Sequence, residues 1–402
     1  MTEVQSESND GSVAADLVPN GFLRSDEIRC VVLWCIGFTG LALEPFWIGG
    51  VVDDLRVRAG LAGQLGALQL GCTALMSLAV ARRMNVVSHR VVGMLGLTVT
   101  LLGSLLVSLM PTVGPLLASR VLVGVGEGAT LAVAHAAMAG RRNSDRLYAL
   151  SYVALMAYAI LLYLTVPLLT PKMGVVAIFA AHTAVCIPGL IVMAFWRRGS
   201  SGNLLPVQLK RDLARQGIAA LAAATVFYAA EGALWAYLER FGTRVGLNAG
   251  QIGRVISCAL VLTIGTSLGA YAIGTRFGRR LPIVAGLLVL SGMAILLTNA
   301  RTPLEYVAGV ILFQVVGIFV MIYVTGLLAA LDPAGRIVAA APASRGIGNT
   351  VGPSIAGLVL GTFGYQTIGV VAVAFYAVAL TAFLLLMRRG PNNALHADIR
   401  RV

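Results

Sequence analysis

The stretch Gly37-Phe38-Thr39-Gly40-Leu41-Ala42-Leu43-Glu44-Pro45-Phe46-Trp47, followed by Gly60-Leu61-Ala62-Gly63-Gln64-Leu65-Gly66, decides the fold, because its features return 187 residues later. At that spacing Glu44 meets Glu231, and Ala62-Gly63-Gln64-Leu65-Gly66 meets Ala249-Gly250-Gln251-Ile252-Gly253. Each glutamate stands 18 residues ahead of its Ala-Gly-Gln-aliphatic-Gly segment. The chain is therefore a duplication. Both glutamates fall inside apolar runs long enough to cross a bilayer, where an ionisable group is expensive and marks function. Two repeats that each bring one acid toward a shared axis point to a carrier.

Composition agrees. Of 402 residues, 58% are hydrophobic and 12% charged, and the mean hydropathy is +0.86, against roughly 25% charged residues in soluble domains. An all-α polytopic membrane protein, embedded in a lipid bilayer, is expected. A net charge of +13 would suit nucleic acid, but the arginines stand at the ends of apolar runs and no basic cluster is interleaved with aromatics. No nucleic-acid partner is expected. The five cysteines, Cys30, Cys35, Cys72, Cys186 and Cys258, form no C-x-x-C and read as small buried hydrophobes. His135 and His182 stand alone in separate spans, so neither a metal nor a cofactor is expected.

A span takes about 20 mostly apolar residues. Twelve such runs can be marked, near 30–51, 61–81, 91–110, 115–138, 147–168, 174–195, 217–238, 251–275, 281–299, 304–331, 337–361 and 367–387. Six fall on either side of a polar segment holding Arg197, Arg198, Lys210, Arg211 and Arg215. The expected organisation is a disordered tail 1–29 without a cleaved signal peptide, a six-helix bundle 30–196, a linker 197–216, a second bundle 217–388 and a tail 389–402. If both termini share one side, that side gathers most of the 30 basic residues, while the other has Arg56, Arg58, Lys172, Arg240, Arg244 and Arg301. Cytoplasmic loops are the basic ones, which places both termini in the cytoplasm and the chain in the inner (cytoplasmic) membrane.

Twelve spans in a six-plus-six duplication, with a basic central loop, resemble the major facilitator superfamily over roughly residues 28 to 390. The paired Ala-Gly-Gln segments resemble the starts of that family's second and eighth helices. Gly274-Thr275-Arg276-Phe277-Gly278-Arg279-Arg280 is similar to its cytoplasmic loop signature G-x-x-x-D-R-x-G-R-R, with Thr275 in place of the acid. The matching first-half loop, Arg82-Arg83 to His89-Arg90, lacks the glycines and the aspartate. The resemblance implies two six-helix bundles related by a pseudo-twofold axis, a midplane cavity, alternating access, and a monomer without cofactors.

Pro45, directly after Glu44, predicts a kink beside the acid; the alternative is a Glu44 side chain that reaches outward. In the seventh span Tyr228, Glu231 and Trp235 share a helical face, and Phe46 and Trp47 lie beside Glu44. The fourth span carries Arg120, Gly124 and Glu127 on one stripe, which resembles the fourth-helix motif of proton-coupled drug exporters; a purely structural ion pair is the alternative. The repeat offset pairs Glu127 with Gln314. The eleventh span sets Arg345, Asn349 and Gly352 on one face before Pro353, with Arg345 directed either inward or toward the cytoplasm. The Gly352-Pro353 pair resembles a signature of the fifth helix in antiporters, whereas the fifth span here has no such pair.

A carboxyl withdrawn from water favours its neutral form, so Glu44, Glu231 and Glu127 are the proton-coupling candidates, with Arg120 keeping Glu127 ionised. Arg120, Arg345, Asn349, Gln314, Tyr228, Trp235 and Trp47 are the substrate-binding candidates. Pro45, Gly274, Arg276, Gly278, Arg279 and Arg280 are the gating and loop residues. No P-loop appears, and no nucleophile and base stand in register, so an enzyme is not expected. The expected function is proton-coupled transport of a small organic solute, leaning to symport of an organic acid or zwitterion. The alternatives are a proton/drug antiporter exporting amphiphilic compounds and a non-transporting receptor on the same fold.

Overall fold

The computed structural model describes residues 25–84, 87–139, 144–196, 211–274, 276–331, 337 and 340–388, and these are helical apart from short connections. The first span is two helices, α1 (Ser25–Gly37) and α2 (Thr39–Asp54). Five more complete the first half: α3 (Ala59–Ala81), α4 (His89–Leu109), α5 (Val113–Ala139), α6 (Ser144–Met173) and α7 (Val176–Ala194). The second half begins with α8 (Arg211–Ala236), extended by the short α9 (Leu238–Arg244). It continues through α10 (Ala249–Ile273), α11 (Arg280–Asn299), α12 (Pro303–Leu331), α13 (Ala341–Phe363) and α14 (Gln366–Arg388). Residues 197–210 of the expected linker, 1–24 and 389–402 lie outside the described residues, while 211–216 already belong to α8.

Among the described residues, 11 spans are long and apolar enough to cross a membrane. The twelfth, α13, is not among them although its 23 residues rise about 34 Å at 1.5 Å each. It carries Arg345, Asn349, Thr350 and Ser354, which it affords because it packs against α8 and α3 in the interior. Polarity here marks the inside of the protein, and hydropathy alone undercounts such a helix.

The halves form two bundles. In the first, α3 and α4 pack on α5 and α4 on α7; in the second, α13 and α14 pack on α8 and α11 on α12 and α14. Between bundles α3 meets α13 and α10 meets α6. These are the second span against the eleventh and the eighth against the fifth, which is one contact seen twice under a pseudo-twofold operation. Glycines serve these crossings, since small residues let spanning helices approach closely. A Cβ on Gly357 would fall 2.6 Å from the Gly60 carbonyl oxygen, and Gly253 abuts the Tyr163 carbonyl in the same way.

The motif glutamines have diverged. Asn248 caps α10 by accepting from the Gln251 amide at 2.9 Å, and Gln251 Oε1 accepts from the Asn248 amide at 2.9 Å, a reciprocal pair that satisfies two helix-start donors. In the first copy Leu61 stands where Asn248 would, and Gln64 instead lies against Gly357 of the other bundle.

Candidate functional site

The first bundle holds a sealed polar cluster built on the break in the first span. The expected kink at Pro45 does not interrupt the helix. The interruption lies at Phe38, between Gly37 and Gly40, and α2 runs on through Pro45. A new helix start exposes backbone N–H groups without intrahelical partners, and the Gly40 amide donates to Glu127 Oε1 at 2.6 Å. Gln69 Nε2 donates to Glu127 Oε2 at 2.8 Å, and Arg120 Nη1 donates to Gln69 Oε1 at 2.7 Å. Arg120 and Glu127 are thus joined through Gln69, not as a direct ion pair. The guanidinium is 1% exposed and lies between the Trp47 and Phe179 rings, 4.7 Å from each centroid, a favourable place for a desolvated cation. His182 Nε2 lies 3.4 Å from Glu127 Oε1.

Pro45 has a different use. It lacks the N–H that would bond the Leu41 carbonyl, and that carbonyl accepts from Trp235 Nε1 of the second bundle at 3.0 Å. At the next residue, the Tyr163 hydroxyl donates to the Ala42 carbonyl at 2.9 Å. Glu44 does not reach outward. It is 1% exposed, and neither carboxyl oxygen has a hydrogen-bond partner. The motif glycine makes its room: a Cβ on Gly66 would stand 2.7 Å from Glu44 Oε1.

In the second bundle the charges are more open. Glu231 is half-buried and accepts from the Tyr376 hydroxyl at 2.5 Å; its space comes from Gly317 on α12, not from its own motif glycine. Arg345 is also half-buried, with its guanidinium 5.8 Å from the Tyr228 ring centroid and Met321 Sδ at 3.9 Å as a weak acceptor. Asn349 lies against Gly232, four residues along the same face from Arg345, and Gln314 is half-buried one turn before Gly317. Trp235, expected to wall a solute, spends its N–H on Leu41, and Trp47 is fully buried beneath Arg120.

At the end remote from the termini the bundles are bound by charge. Arg240 Nη1 and Nη2 donate to the two oxygens of Asp53 at 2.8 and 2.6 Å, and Nε donates to Glu239 Oε2 at 2.7 Å. Asp53 and Arg240 are 187 positions apart, the repeat offset itself. Equivalent positions touch only beside the pseudo-twofold axis, so this pair marks the axis. Arg240 lies outside the spans; burial opposes its charge, but the hydrogen bonds and charges of Asp53 and Glu239 outweigh that and hold it above the ordinary arginine value. Below it, the Tyr237 hydroxyl donates to the Ala59 carbonyl at 3.3 Å.

The sequence model of the Major Facilitator Superfamily matches residues 30–336. The chain belongs to that superfamily. Its fold is similar to the nucleoside transporter NupG, with a TM-score of 0.72 and 12% identity over 91% of this chain and 100% of that one. It is similar also to a mutant of the peptide transporter POT, at 0.72 and 13% over 90% and 95%. A third match is a POT family transporter in complex with a thioalcohol conjugated peptide, at 0.73 and 12% over 92% and 97%. No curated protein sequence matches the chain. As a superfamily member it is a multi-pass secondary transporter of small molecules, not an enzyme. Gly265-Thr266-Ser267-Leu268-Gly269 has the spacing of a hydrolase nucleophile turn, yet it runs as continuous helix in α10, and Ser267 Oγ donates back to the Thr263 carbonyl at 3.0 Å.

The superfamily's loop signature folds as a turn between α10 and α11. Gly274 and Gly278 take φ of 53° and 66°, where side-chain-bearing residues are disfavoured, and the Gly274 carbonyl accepts from the Tyr323 hydroxyl at 2.9 Å. Arg276 and Arg280 are exposed and Arg279 is half-buried; Thr275 lies outside the described residues. Gln69, His182, Tyr376 and the Asp53, Arg240 and Glu239 group were not singled out by sequence. Only the last left a signal, since the repeat offset that pairs Glu44 with Glu231 also pairs Asp53 with a residue of opposite charge.

Proposed function

We propose that this superfamily member is a proton-coupled transporter that moves a small organic acid or zwitterion across the cytoplasmic membrane, with both termini in the cytoplasm. Glu44 carries the reading. A carboxylate so buried, with no donor, is unpaired charge in a low-dielectric site, and its cost falls away only when the group is neutral. In this conformation the site therefore suits a bound proton, which is released when the bundles rock apart and water reaches the carboxyl.

The substrate anchor is Arg345. Arg120 has Nη1 and Nη2 turned to Gln69 and Ser119, its Nε buried, and its faces covered by rings, whereas Arg345 offers a planar fork suited to a carboxylate or phosphate. Glu231, held by Tyr376, is placed to receive the cationic group of a zwitterion. That the similar structures are a nucleoside and a peptide transporter fits polar organic cargo.

Purified protein in proteoliposomes tests this under an imposed pH gradient, with organic acids, zwitterions and lipophilic cations as cargo. Glu44→Gln should abolish gradient-driven accumulation while leaving counterflow exchange, and Arg345→Ala should abolish both. Lipophilic cations as the only cargo, carried equally well by Arg345→Ala, would replace this reading with drug export.

A further inference from the structure

The Glu127 carboxylate is the meeting point of four elements. The Gly40 amide at the start of α2 and His182 Nε2 on α7 converge on the same oxygen, Oε1, at 2.6 and 3.4 Å, while Gln69 of α3 occupies Oε2. His182 is 3% exposed, and its Nε2 makes no hydrogen bond of good geometry. The transport site proposed above does not use it. A buried ring nitrogen aimed at a carboxylate but held just beyond bonding distance is a contact that one proton would complete.

We propose that His182 and Glu127 form a second proton-binding pair, and that its occupancy decides whether the break in the first span is latched. With His182 neutral, Glu127 Oε1 is held by the Gly40 amide, and the start of α2 is pinned to α5. When His182 takes a proton on its ring, the imidazolium donates Nε2–H to Oε1 and draws the carboxylate toward α7. The proton remains on the pair, and no bond other than these hydrogen bonds changes. Gly40 then loses its acceptor and the Phe38 joint is freed. Thr39, whose hydroxyl pairs with Tyr158 at 2.7 Å, still ties the start of α2 to α6.

The groups facing the pair are known from each packed element. They are Glu44 on α2, Tyr158 on α6, with Cys35 of α1 behind it, Cys186 on α7 itself and, through Gln69, Arg120 on α5. The helix α4 brings no ionisable side chain beyond His89 and Arg90 in its first turn. Imidazole is the side-chain type that changes charge in the physiological range when unperturbed, and His182 is the imidazole that faces Glu127. The proposal deepens the proton-coupled reading and rests on it for its meaning in transport.

Hydrogen exchange of the full-length protein in nanodiscs, read on peptides covering residues 36–42 and corrected for intrinsic rates, tests the latch without transport. Loss of the charge-assisted Gly40–Glu127 hydrogen bond should lower wild-type protection by about tenfold or more between about pH 8 and pH 5. In His182→Gln it should stay at its high-pH level, and Glu44→Gln should keep the wild-type response. Protection that is independent of pH in the wild type, or that falls equally in His182→Gln, would overturn the proposal. A wild-type response without pH-driven uptake would support the latch and refute proton coupling, so the two ideas fail separately.

Discussion

The charge group on the pseudo-twofold axis should hold the remote end shut, and its two partners should matter unequally. The Asp53 side chain is 56% exposed, while Arg240 is 7% and Glu239 8% exposed. Exposed pairs contribute about 0.2–1 kcal/mol, and the bidentate geometry places this one near the top of that range. Asp53→Asn should therefore raise the population open at that end about fivefold, since 1.4 kcal/mol is tenfold. Arg240→Ala is a different perturbation, because it strands the buried Glu239 carboxylate with only the Thr243 hydroxyl at 2.8 Å. Breaking a buried pair costs about 3–5 kcal/mol, so opening should rise more than about a hundredfold. Exchanging the charges, Asp53→Arg with Arg240→Asp, should not restore closure, because the new aspartate would adjoin Glu239. The assay is labelling of Gln64→Cys, placed against Gly357 just inside the seal, in a background stripped of the native cysteines. A membrane-impermeant maleimide is added from the side remote from the termini. Equal labelling rates in Asp53→Asn and Arg240→Ala, or restoration by the exchange, would refute the reasoning.

Gly357→Ala should disfavour the same closed end, because its Cβ meets the Gly60 carbonyl backbone, an overpacking cost of about 1–3 kcal/mol; Gly361→Ala, with open space around it, is the control, and spin-label distances between α3 and α13 read the result. Gln69→Leu should lower the unfolding midpoint sharply while Gln64→Leu should not, because it strands Arg120 Nη1 and Glu127 Oε2 together, and loss of one member of a buried charged network costs about 3–5 kcal/mol.

The duplication, the span count and the superfamily were legible because they rest on long periodic signals and on a repeat offset that any residue pair can check. The individual acids were legible because a carboxyl in an apolar run is conspicuous. What they touch was not. Gln69 looks like an ordinary polar residue in a helix, and nothing in one sequence shows that it bridges Arg120 to Glu127. His182 stands alone in its span, because its partner is 55 positions away, on another helix. Proline is the usual breaker, but α2 runs on through Pro45, and the freed Leu41 carbonyl accepts from Trp235. The break falls at Phe38, where Glu127 supplies an acceptor for the new helix start. Local rules identify which backbone groups lack partners, and tertiary structure decides who satisfies them.

The two glutamates that reveal the duplication have parted in their surroundings, and in the proposed proton-coupled cycle that divergence separates two roles. Glu44 is fitted into the space of its own motif glycine, Gly66, and is sealed from water and donors alike. Glu231 has left its motif glycine, Gly253, to the crossing with Tyr163; it takes its room from Gly317 and a hydrogen bond from Tyr376, and it stays half open. Two acids in identical settings would load and unload together, and a solute bound to one would compete with a proton on both. One sealed acid and one open acid give the rocking bundles two distinct occupants to exchange with water at different points of the cycle. A duplicated fold supplies the symmetric motion, and on the proposed function the loss of symmetry at these glycines separates the cargo site from the site of the driving ion.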